Sequence, residues 1–304
     1  MDKIEVKILG VDPIGDAEKM LALGARITQR GHKISCMDDL TALYEKEATA
    51  EFIHNIAALP HPTLQKLGRV NIAIVGASRR FLGQIRTHQD EVKFVSGSLQ
   101  YSDYTGSAEF CVPYAITQKD VEEPILGPYD EAYPHYYRDA YLNSCGQAKA
   151  EYEAAIKSGI DKDAAGYIMP QGMRNVLLIS AVPFELKHMI QQRICRRNTL
   201  ETMYVMLLIW EELIKLSPMF DDCGPWCMQR TGCLEGKMSC GHFLYDVEVA
   251  DYINRTGCSV PTAILDTQFK YIRGTVEHTL YADEKAYETI TTYKNGDPVE
   301  ERNK

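Results

Sequence analysis

The amino-acid sequence predicts an α+β fold, in which strands and helices mix without a fixed alternation. Three short runs rich in apolar and β-branched residues predict strands at residues 4–11, 70–75 and 174–180. Longer stretches with apolar residues at helical spacing lie between and after these runs. A doubly wound parallel sheet would need strands and helices in strict order, which this chain does not show.

Local signals place the helices along the chain. A helix at 16–30 follows the turn at 13–15, and a second helix runs from 38 to about 58. Asn198 is the predicted N-cap of a later helix, with Glu201 three residues on as its capping-box partner. The other predicted elements are a loop at 59–63, a helix at 78–88, an extended segment at 93–101, and helices at 139–158, 183–197 and about 199–216.

The composition is that of an ordinary globular protein, with 45% apolar and 25% charged residues among 304. The net charge of −9 argues against a protein that coats nucleic acid, which needs excess cations to neutralise phosphates. The longest apolar run, residues 204–210, is far shorter than a membrane span. The nine cysteines are an odd number and five are scattered singly, which favours a reducing cytoplasm over a secreted disulfide framework.

The stretch that most strongly indicates a ligand site covers residues 76–89 and continues at 95–101. It places cationic and amide side chains on an apolar helix, followed by a run of hydroxyl and amide groups. Gln84 and His88 are four residues apart, so they share one helical face and can address one ligand. This mixture suits a phosphorylated, planar ligand better than it suits a plain core.

The same residues resemble the signature of the flavin-dependent thymidylate synthases, in which Arg-His-Arg leads to Ser-x-Arg-Tyr. The triplet reads Thr87-His88-Gln89 here, with Arg86 one place early, and the ending reads Ser98-Leu99-Gln100-Tyr101. Uncharged side chains therefore stand at positions 87, 89 and 100, where the family has arginine. Gln100 replaces a cation whose contact with a phosphate is worth about 1.5–3 kcal/mol.

Two further segments and one loop carry the resemblance. Residues 165–173 are similar to the family's Ala-Arg-x-x-Leu-Pro segment, and residues 193–201 to its Arg-Leu-Cys-Asn-Arg-Ala-Gln-Trp-Glu segment. The loop His61-Pro62-Thr63 resembles the family's His-x-Ser/Thr loop, in which the hydroxyl approaches the flavin. The family's next nucleotide-binding arginine falls at Thr202 or Met203 in this chain.

The resemblance implies a central, mostly antiparallel sheet flanked by helices, and a homotetramer with active sites at subunit junctions. It implies a methyltransferase that converts dUMP to dTMP by reductive methylation, with FAD as cofactor, methylenetetrahydrofolate as carbon donor and NADPH as reductant. It assigns catalysis to His88, Gln84 and Ser98. It assigns the cofactor to Thr63, Arg86, His88, Gln89, Arg193 and Arg197, and the nucleotide to Gln84, Ser98, Gln100 and Tyr101.

A second candidate site is a cluster of four cysteines, Cys223, Cys227, Cys233 and Cys240. Four thiolates can surround a structural Zn²⁺ in a tetrahedron, although these spacings differ from paired Cys-x2-Cys knuckles. Free or loosely buried thiols are the alternative interpretation. The chain is accordingly divided into a flavin- and nucleotide-binding domain at 1–220, a cysteine-rich insertion at 221–242 and an extension at 243–304, whose polar tail after about residue 282 is expected to be disordered.

Three other functions also fit the sequence. The lost cations would suit a related flavin-dependent enzyme that modifies another pyrimidine nucleotide. A non-catalytic protein that binds flavin or nucleotide would keep the same scaffold. A metal-stapled interaction module would use the cysteine-rich insertion as its contact surface.

Overall fold

The computed structural model describes residues 4–88, 91–112, 137–225, 227, 233, 235–240 and 248–279. The predicted cofactor residue Gln89 and the polar tail expected after residue 282 lie outside these ranges. No helix within the described ranges is both long enough and apolar enough to cross a membrane.

The sheet has four strands, which are β1 (Glu5–Leu9), β2 (Val70–Ser78), β3 (Val92–Ser96) and β4 (Arg174–Ala181). They lie in the order β1-β2-β4-β3, and all three pairings are antiparallel. The predicted α+β class and the mostly antiparallel sheet are therefore confirmed.

Helices precede, separate and follow the strands. Their bounds in the described ranges are α1 Gly15–Arg30, α2 Met37–Glu45, α3 Ala50–Ala58, α4 Arg79–Ile85, α5 Tyr137–Lys157, α6 Lys162–Gly166, α7 Pro183–Arg193, α8 Leu200–Leu216, α9 Glu248–Thr256 and α10 Val260–Thr279. Helix α4 ends before the predicted residue 88 because the chain tightens there: Thr87 N donates to Gln84 O and His88 N to Ile85 O.

The single helix predicted from 38 to 58 is divided into α2 and α3. Thr49 starts the second helix, since its hydroxyl accepts a hydrogen bond from Phe52 N at 3.2 Å. The carbonyls left free where α2 ends are satisfied by Arg26, whose guanidinium donates to the carbonyl oxygens of residues 43, 46 and 47. A contact from another helix therefore stabilises a break that the local pattern does not show.

The core lies between one face of the sheet and α8. Ile72, Ile74, Leu177 and Ile179 point to this face, and none is more than 2% exposed. Helix α8 packs against β1 and β2 and is buried without interruption over residues 202–210. Full burial of each large aliphatic side chain contributes about 1.5–3 kcal/mol, so this layer supplies much of the stability.

The C-terminal helix α10 packs on α8 and shares the same core. The rings of Tyr204 and Phe269 meet edge to face, with centroids 6.0 Å apart. Gln268 donates from Nε2 to the carbonyl of Ile194 at 2.8 Å and accepts from Arg196 Nε at 2.9 Å. Helix α10, which belongs to the predicted extension, is thus packed against residues of the first 220.

The junction of β2 and α4 positions the candidate site. Gly76 has a φ of +90° in a β-bulge of β2, a conformation that favours glycine. Ser78 caps α4, because its Oγ accepts a hydrogen bond from Phe81 N at 3.0 Å. Ser78 also donates to the carboxylate of Glu201 from its backbone N (2.8 Å) and its hydroxyl (2.7 Å).

Glu201 therefore ties the first turn of α8 to this junction, and the predicted capping box with Asn198 is wrong. Thr199 is the N-cap of α8, with its Oγ1 accepting from Thr202 N at 3.4 Å. Burial raises the pKa of Glu201, and the hydrogen bonds from Ser78 offset part of that rise. The buried carboxylate of Glu201 needs hydrogen-bond donors. The backbone N–H of Ser78, at the end of β2, is one such donor, and it would not be used in the predicted capping box.

We expect the S78A variant to lower the free energy of unfolding by about 2–4 kcal/mol, because it removes a helix cap and leaves the buried Glu201 carboxylate short of a donor. The matched control is T49A, which removes the exposed cap of α3 alone and costs about 1 kcal/mol. Chemical denaturation measures both variants. Equal losses would contradict the role given to Glu201.

Candidate functional site

The candidate site forms where α4, α7 and the start of α8 meet, around the guanidinium of Arg193. Arg193 Nε donates to His88 Nε2 at 2.9 Å, and Nη2 donates to Thr87 Oγ1 at 2.6 Å and to the Gln84 carbonyl at 3.4 Å. Nη1 lies 3.5 Å from Asn198 Oδ1. Burial lowers the pKa of Arg193. These five residues, the Arg193 cluster, join two segments that are far apart in the sequence and that both carry the family resemblance.

His88 is a buried member of the Arg193 cluster, at 6% exposure. Its Nδ1 lies 3.1 Å from Glu185 Oε1, and the other carboxylate oxygen lies 3.4 Å from His188 Nδ1. Burial raises the pKa of Glu185, but hydrogen bonds from both histidines and the charge of His188 outweigh it, so the pKa lies below its ordinary value. Both ring nitrogens of His88 are thus engaged within the protein.

Gln84 is held by two hydroxyl groups from the start of α8. Its Oε1 accepts from Thr202 Oγ1 at 2.5 Å and from Thr199 Oγ1 at 3.2 Å. Its amide N–H2 group is left as the part that can meet a ligand. Thr202, which the resemblance places where the family has arginine, therefore orients Gln84.

Arg79 and Arg86 place two cations on the same segment. Nη1 of Arg79 is buried and has no hydrogen-bond partner among the described residues. Burial lowers the pKa of the Arg79 guanidinium; Tyr104 offsets part of that change, and the nearby charge of Arg86 adds to it. Arg86 Nη2 donates to Ser96 Oγ at 2.9 Å. Two neighbouring guanidinium groups, one with a buried unpaired N–H, suit an anionic ligand such as a phosphate.

A cleft of about 420 Å³ opens at the ends of β2 and β4. Asn175 is 7% exposed, and its Nδ2 has no partner within the described ranges. A Cβ on Gly97 would lie 2.5 Å from Tyr104 Oη and 2.6 Å from Asn175 Oδ1, so a larger residue here would have to displace these two side chains. Gly97 directly precedes Ser98, but none of the predicted nucleotide residues is among those that line this cleft. Its polar lining includes Tyr104, Ser107, Glu109, Arg174 and Asn175.

The structure brings only some of the predicted site residues together. Ser98 Oγ accepts hydrogen bonds from the backbone N–H groups of Gln100 (3.1 Å) and Tyr101 (3.3 Å), so the chain turns here. The extended run predicted for 93–101 is therefore confirmed in strand β3, up to Ser96, and wrong after it. Gln100 and Tyr101 are exposed. Thr63 and Arg197 are also exposed and make no hydrogen bond to the Arg193 cluster in the described part.

The four cysteines predicted to hold zinc do not form a close set. In the described part of the chain, one group of at least three candidate ligand side chains has its ligand atoms within 4.8 Å of one another. This group is His88, Glu185 and His188. Cys223 is 2% exposed in the hydrophobic core, and burial raises the pKa of its thiol, which disfavours the thiolate that zinc requires. In the described part of the chain these thiols are not gathered around one point, and the zinc site stays a prediction.

Sequence reasoning missed Arg79, Glu185 and the orienting role of Thr202. Arg79 stands directly after the cap Ser78, within the stretch singled out for its cations, and this was an available signal. Glu185 gives no such signal, because its partner His88 lies 97 residues away. The site as a whole offers N–H donors and guanidinium groups, while its buried carboxylates are already bonded. It is suited to a ligand rich in oxygen acceptors.

Comparisons with known proteins agree on the relationship. A family model described as thymidylate synthase complementing protein, Thy1, matches residues 11–219. The flavin-dependent thymidylate synthase of Geobacter sulfurreducens is 23% identical over 239 residues, which cover 78% of this chain and 94% of that one. The enzyme of the same name from Pyrococcus abyssi is 23% identical over 183 residues, 59% of this chain and 70% of that one.

A solved structure has the same fold. It is that of a UMP/dUMP methylase, PolB, from Streptomyces cacaoi bound with 5-Br dUMP, with a TM-score of 0.55 and 16% identity. The likeness covers 72% of this chain and 93% of that one. Because the family match spans well over half of the 304 residues and includes the Arg193 cluster, this chain belongs to the thymidylate synthase complementing protein (Thy1) family.

Proposed function

We propose that this protein is an FAD-dependent methyltransferase that converts dUMP to dTMP, with methylenetetrahydrofolate as carbon donor and NADPH as reductant. Family membership supports this, as do the two curated relatives named flavin-dependent thymidylate synthase. The observation that carries it is the Arg193 cluster, in which Arg193 joins Gln84, Thr87 and His88 from a distant motif. When bound, the reduced flavin supplies the hydride for the reaction.

The residues present fit a flavin dinucleotide. The isoalloxazine ring presents carbonyl oxygens and ring nitrogens, and the partly buried guanidinium of Arg193 can donate to such acceptors. The dinucleotide also carries two phosphates, and the unpaired buried N–H of Arg79 beside the charge of Arg86 suits an anionic oxygen. In this proposal Arg193 orients the ring, while Arg79 and Arg86 hold phosphate.

The nucleotide is assigned to Gln84 and to the turn at Ser98. With Oε1 of Gln84 occupied by two threonine hydroxyls, its amide N–H2 can donate to a carbonyl of uracil. Thr87 accepts from Arg193, so the uncharged residue at this position is compatible with a guanidinium only 2.6 Å away. Charge for the nucleotide phosphate is then supplied by arginines other than those expected at 87, 89 and 100.

A homotetramer is part of the proposal, supported by the outer face of the sheet. Val75, Val95, Val176 and Leu178 form a continuous apolar patch there, with Val75 opposite Val176 and Val95 opposite Leu178 across the strands. Val176 is 54% and Val95 is 64% exposed. Contiguous exposed apolar surface of this kind marks an association site, and a second copy of the chain is the proposed occupant.

A cytoplasmic location completes the proposal. The nine cysteines all lie within the described residues and form no disulfide with one another, which fits a reducing compartment.

We expect the purified protein to take up FAD and to show the visible absorption of bound flavin. The R193A variant should bind FAD about 10–100-fold more weakly, because it loses charge-assisted hydrogen bonds. The matched control is R30A, exposed at the end of α1, which should keep the wild-type affinity. A fluorescence titration measures all three. Wild-type protein that stays colourless in excess FAD would refute the proposal.

We expect turnover of dUMP and none of dCMP, because in this proposal the Gln84 amide donates to the C4 carbonyl of uracil, where cytosine has an amino group. The Q84A variant should lose about 10–100-fold in kcat/KM for dUMP, whereas the exposed control Q29A should not change. Product analysis and rescue of a thymidine-requiring strain test this. Turnover of dCMP would instead favour the other pyrimidine nucleotide, and binding without turnover would favour a non-catalytic homologue.

We expect the wild-type protein to be tetrameric and the V176D variant to dissociate, because a charge in the apolar patch cannot be buried without a partner. The control I160D places the same charge at a residue that is 47% exposed outside the patch. Light scattering coupled to size exclusion measures the mass of each variant. A monomeric wild-type protein would be inconsistent with the proposed assembly.

A further inference from the structure

A hydrogen-bonded chain of side chains runs behind the candidate site, from Arg193 through His88 and Glu185 to His188 and Gln192. We propose that Glu185 is a positioning residue: it keeps the single proton of His88 on Nδ1, so that Nε2 accepts from Arg193 and holds the guanidinium in place. Glu185 itself touches neither the cofactor nor the nucleotide in the proposed arrangement.

The position of the His88 proton follows from its two neighbours. Arginine has only donors, so the contact of 2.9 Å between Arg193 Nε and His88 Nε2 requires Nε2 to be the acceptor. In a neutral imidazole the proton is then on Nδ1, which lies 3.1 Å from Glu185 Oε1 and donates to it. A doubly protonated ring would set two N–H groups against each other at the Arg193 contact. His88 is therefore neutral in this arrangement.

Only an ionised carboxylate at residue 185 offers an acceptor to both histidines at once. Glu185 is 5% exposed, and its two oxygens lie 3.1 and 3.4 Å from the Nδ1 atoms of two different histidines. An ionised carboxylate only accepts hydrogen bonds, so it draws a proton to each Nδ1. A glutamine would offer a donor as well as an acceptor. When its amide N–H faces Nδ1, the proton of His88 moves to Nε2 and the contact with Arg193 is lost.

The same three side chains could be taken for a metal site, since their ligand atoms lie within 4.8 Å of one another. A metal on His88 Nδ1 would leave the proton on Nε2, where it would face the N–H of Arg193. A guanidinium hydrogen-bonded to a ligand of the metal would also repel the cation. The contact with Arg193 therefore favours a proton on Nδ1 over a metal.

The consequence for the site lies in the orientation of Arg193. The bond to His88 fixes Nε, while the Nη2 contacts with Thr87 and Gln84 fix the far edge of the guanidinium. With three points of contact, the guanidinium is held before a ligand arrives, which lowers the entropic cost of binding. The claim that this orientation serves a flavin rests on the proposed function. The claim that the His88 proton is on Nδ1 does not rest on it.

The first measurement is ¹⁵N NMR of the histidine rings in the full-length, flavin-free protein, with the His88 signals assigned by their loss in H88N. We expect His88 to carry its proton on Nδ1 and none on Nε2. In E185Q we expect the proton to shift to Nε2, and the dissociation constant for FAD to rise about 10-fold. The control E212Q makes the same change at a glutamate partly exposed on α8 and bonded to Lys215, and should alter neither.

The R193K variant separates Glu185 from Arg193 as the cause. It removes the Nε–H donor and leaves the carboxylate, so the proton of His88 should stay on Nδ1. Three results would each overturn the inference. The first is a His88 proton on Nε2 in the wild-type protein, and the second is a shift of that proton in R193K but none in E185Q. The third is a tightly bound metal whose binding E185Q abolishes. Should E185Q fail to fold, the wild-type and R193K spectra still decide the question.

The two proposals fail in different ways. A wild-type protein that takes up no FAD defeats the proposed function, and the ring spectra of the flavin-free protein still test the role of Glu185. Conversely, wild-type FAD binding together with an E185Q variant of unchanged ring spectrum and unchanged affinity defeats the positioning role alone.

Discussion

The burial of α8 on all sides is the constraint on which the site depends. Residues 203–210 are apolar around the whole helix, so α8 needs the sheet on one side and α10 on another. Glu201 then binds Ser78 and sets how the first turn meets the β2–α4 junction. That placement carries Thr199 and Thr202 to Gln84. The orientation of a candidate ligand group is thus determined by the packing of the core.

The fold was predictable where the signal is local. The first helix was expected at 16–30 and is found at 15–30, and strand β4 was expected at 174–180 and ends one residue later. The predictions failed where distant groups decide the outcome. Arg26 binds the carbonyls that end α2, although it belongs to the preceding helix. Glu201 is bonded to Ser78, 123 residues away, in place of its expected neighbour.

The candidate site was predictable in part, for the same reason. The motif resemblance pointed to Gln84, His88 and Arg193, and these three are joined by hydrogen bonds. It could not show that His88 is buried between Arg193 and Glu185, because that depends on the pairing of α4 with α7. Nor could spacing show that the thiol of Cys223 is enclosed by apolar side chains. A motif specifies which side chains are present, and packing specifies which atoms remain available.

Helix α10 lies beyond residues 11–219, the part of the chain shared with the family, yet it supports the residues next to Arg193. Gln268 bonds both the carbonyl of Ile194 and the guanidinium of Arg196, which stacks on Tyr271 at 4.0 Å. The short connection that leaves Arg193 is therefore supported by a segment outside the range matched by the family model. Substitutions in this C-terminal helix can therefore shift the candidate site without altering any motif residue.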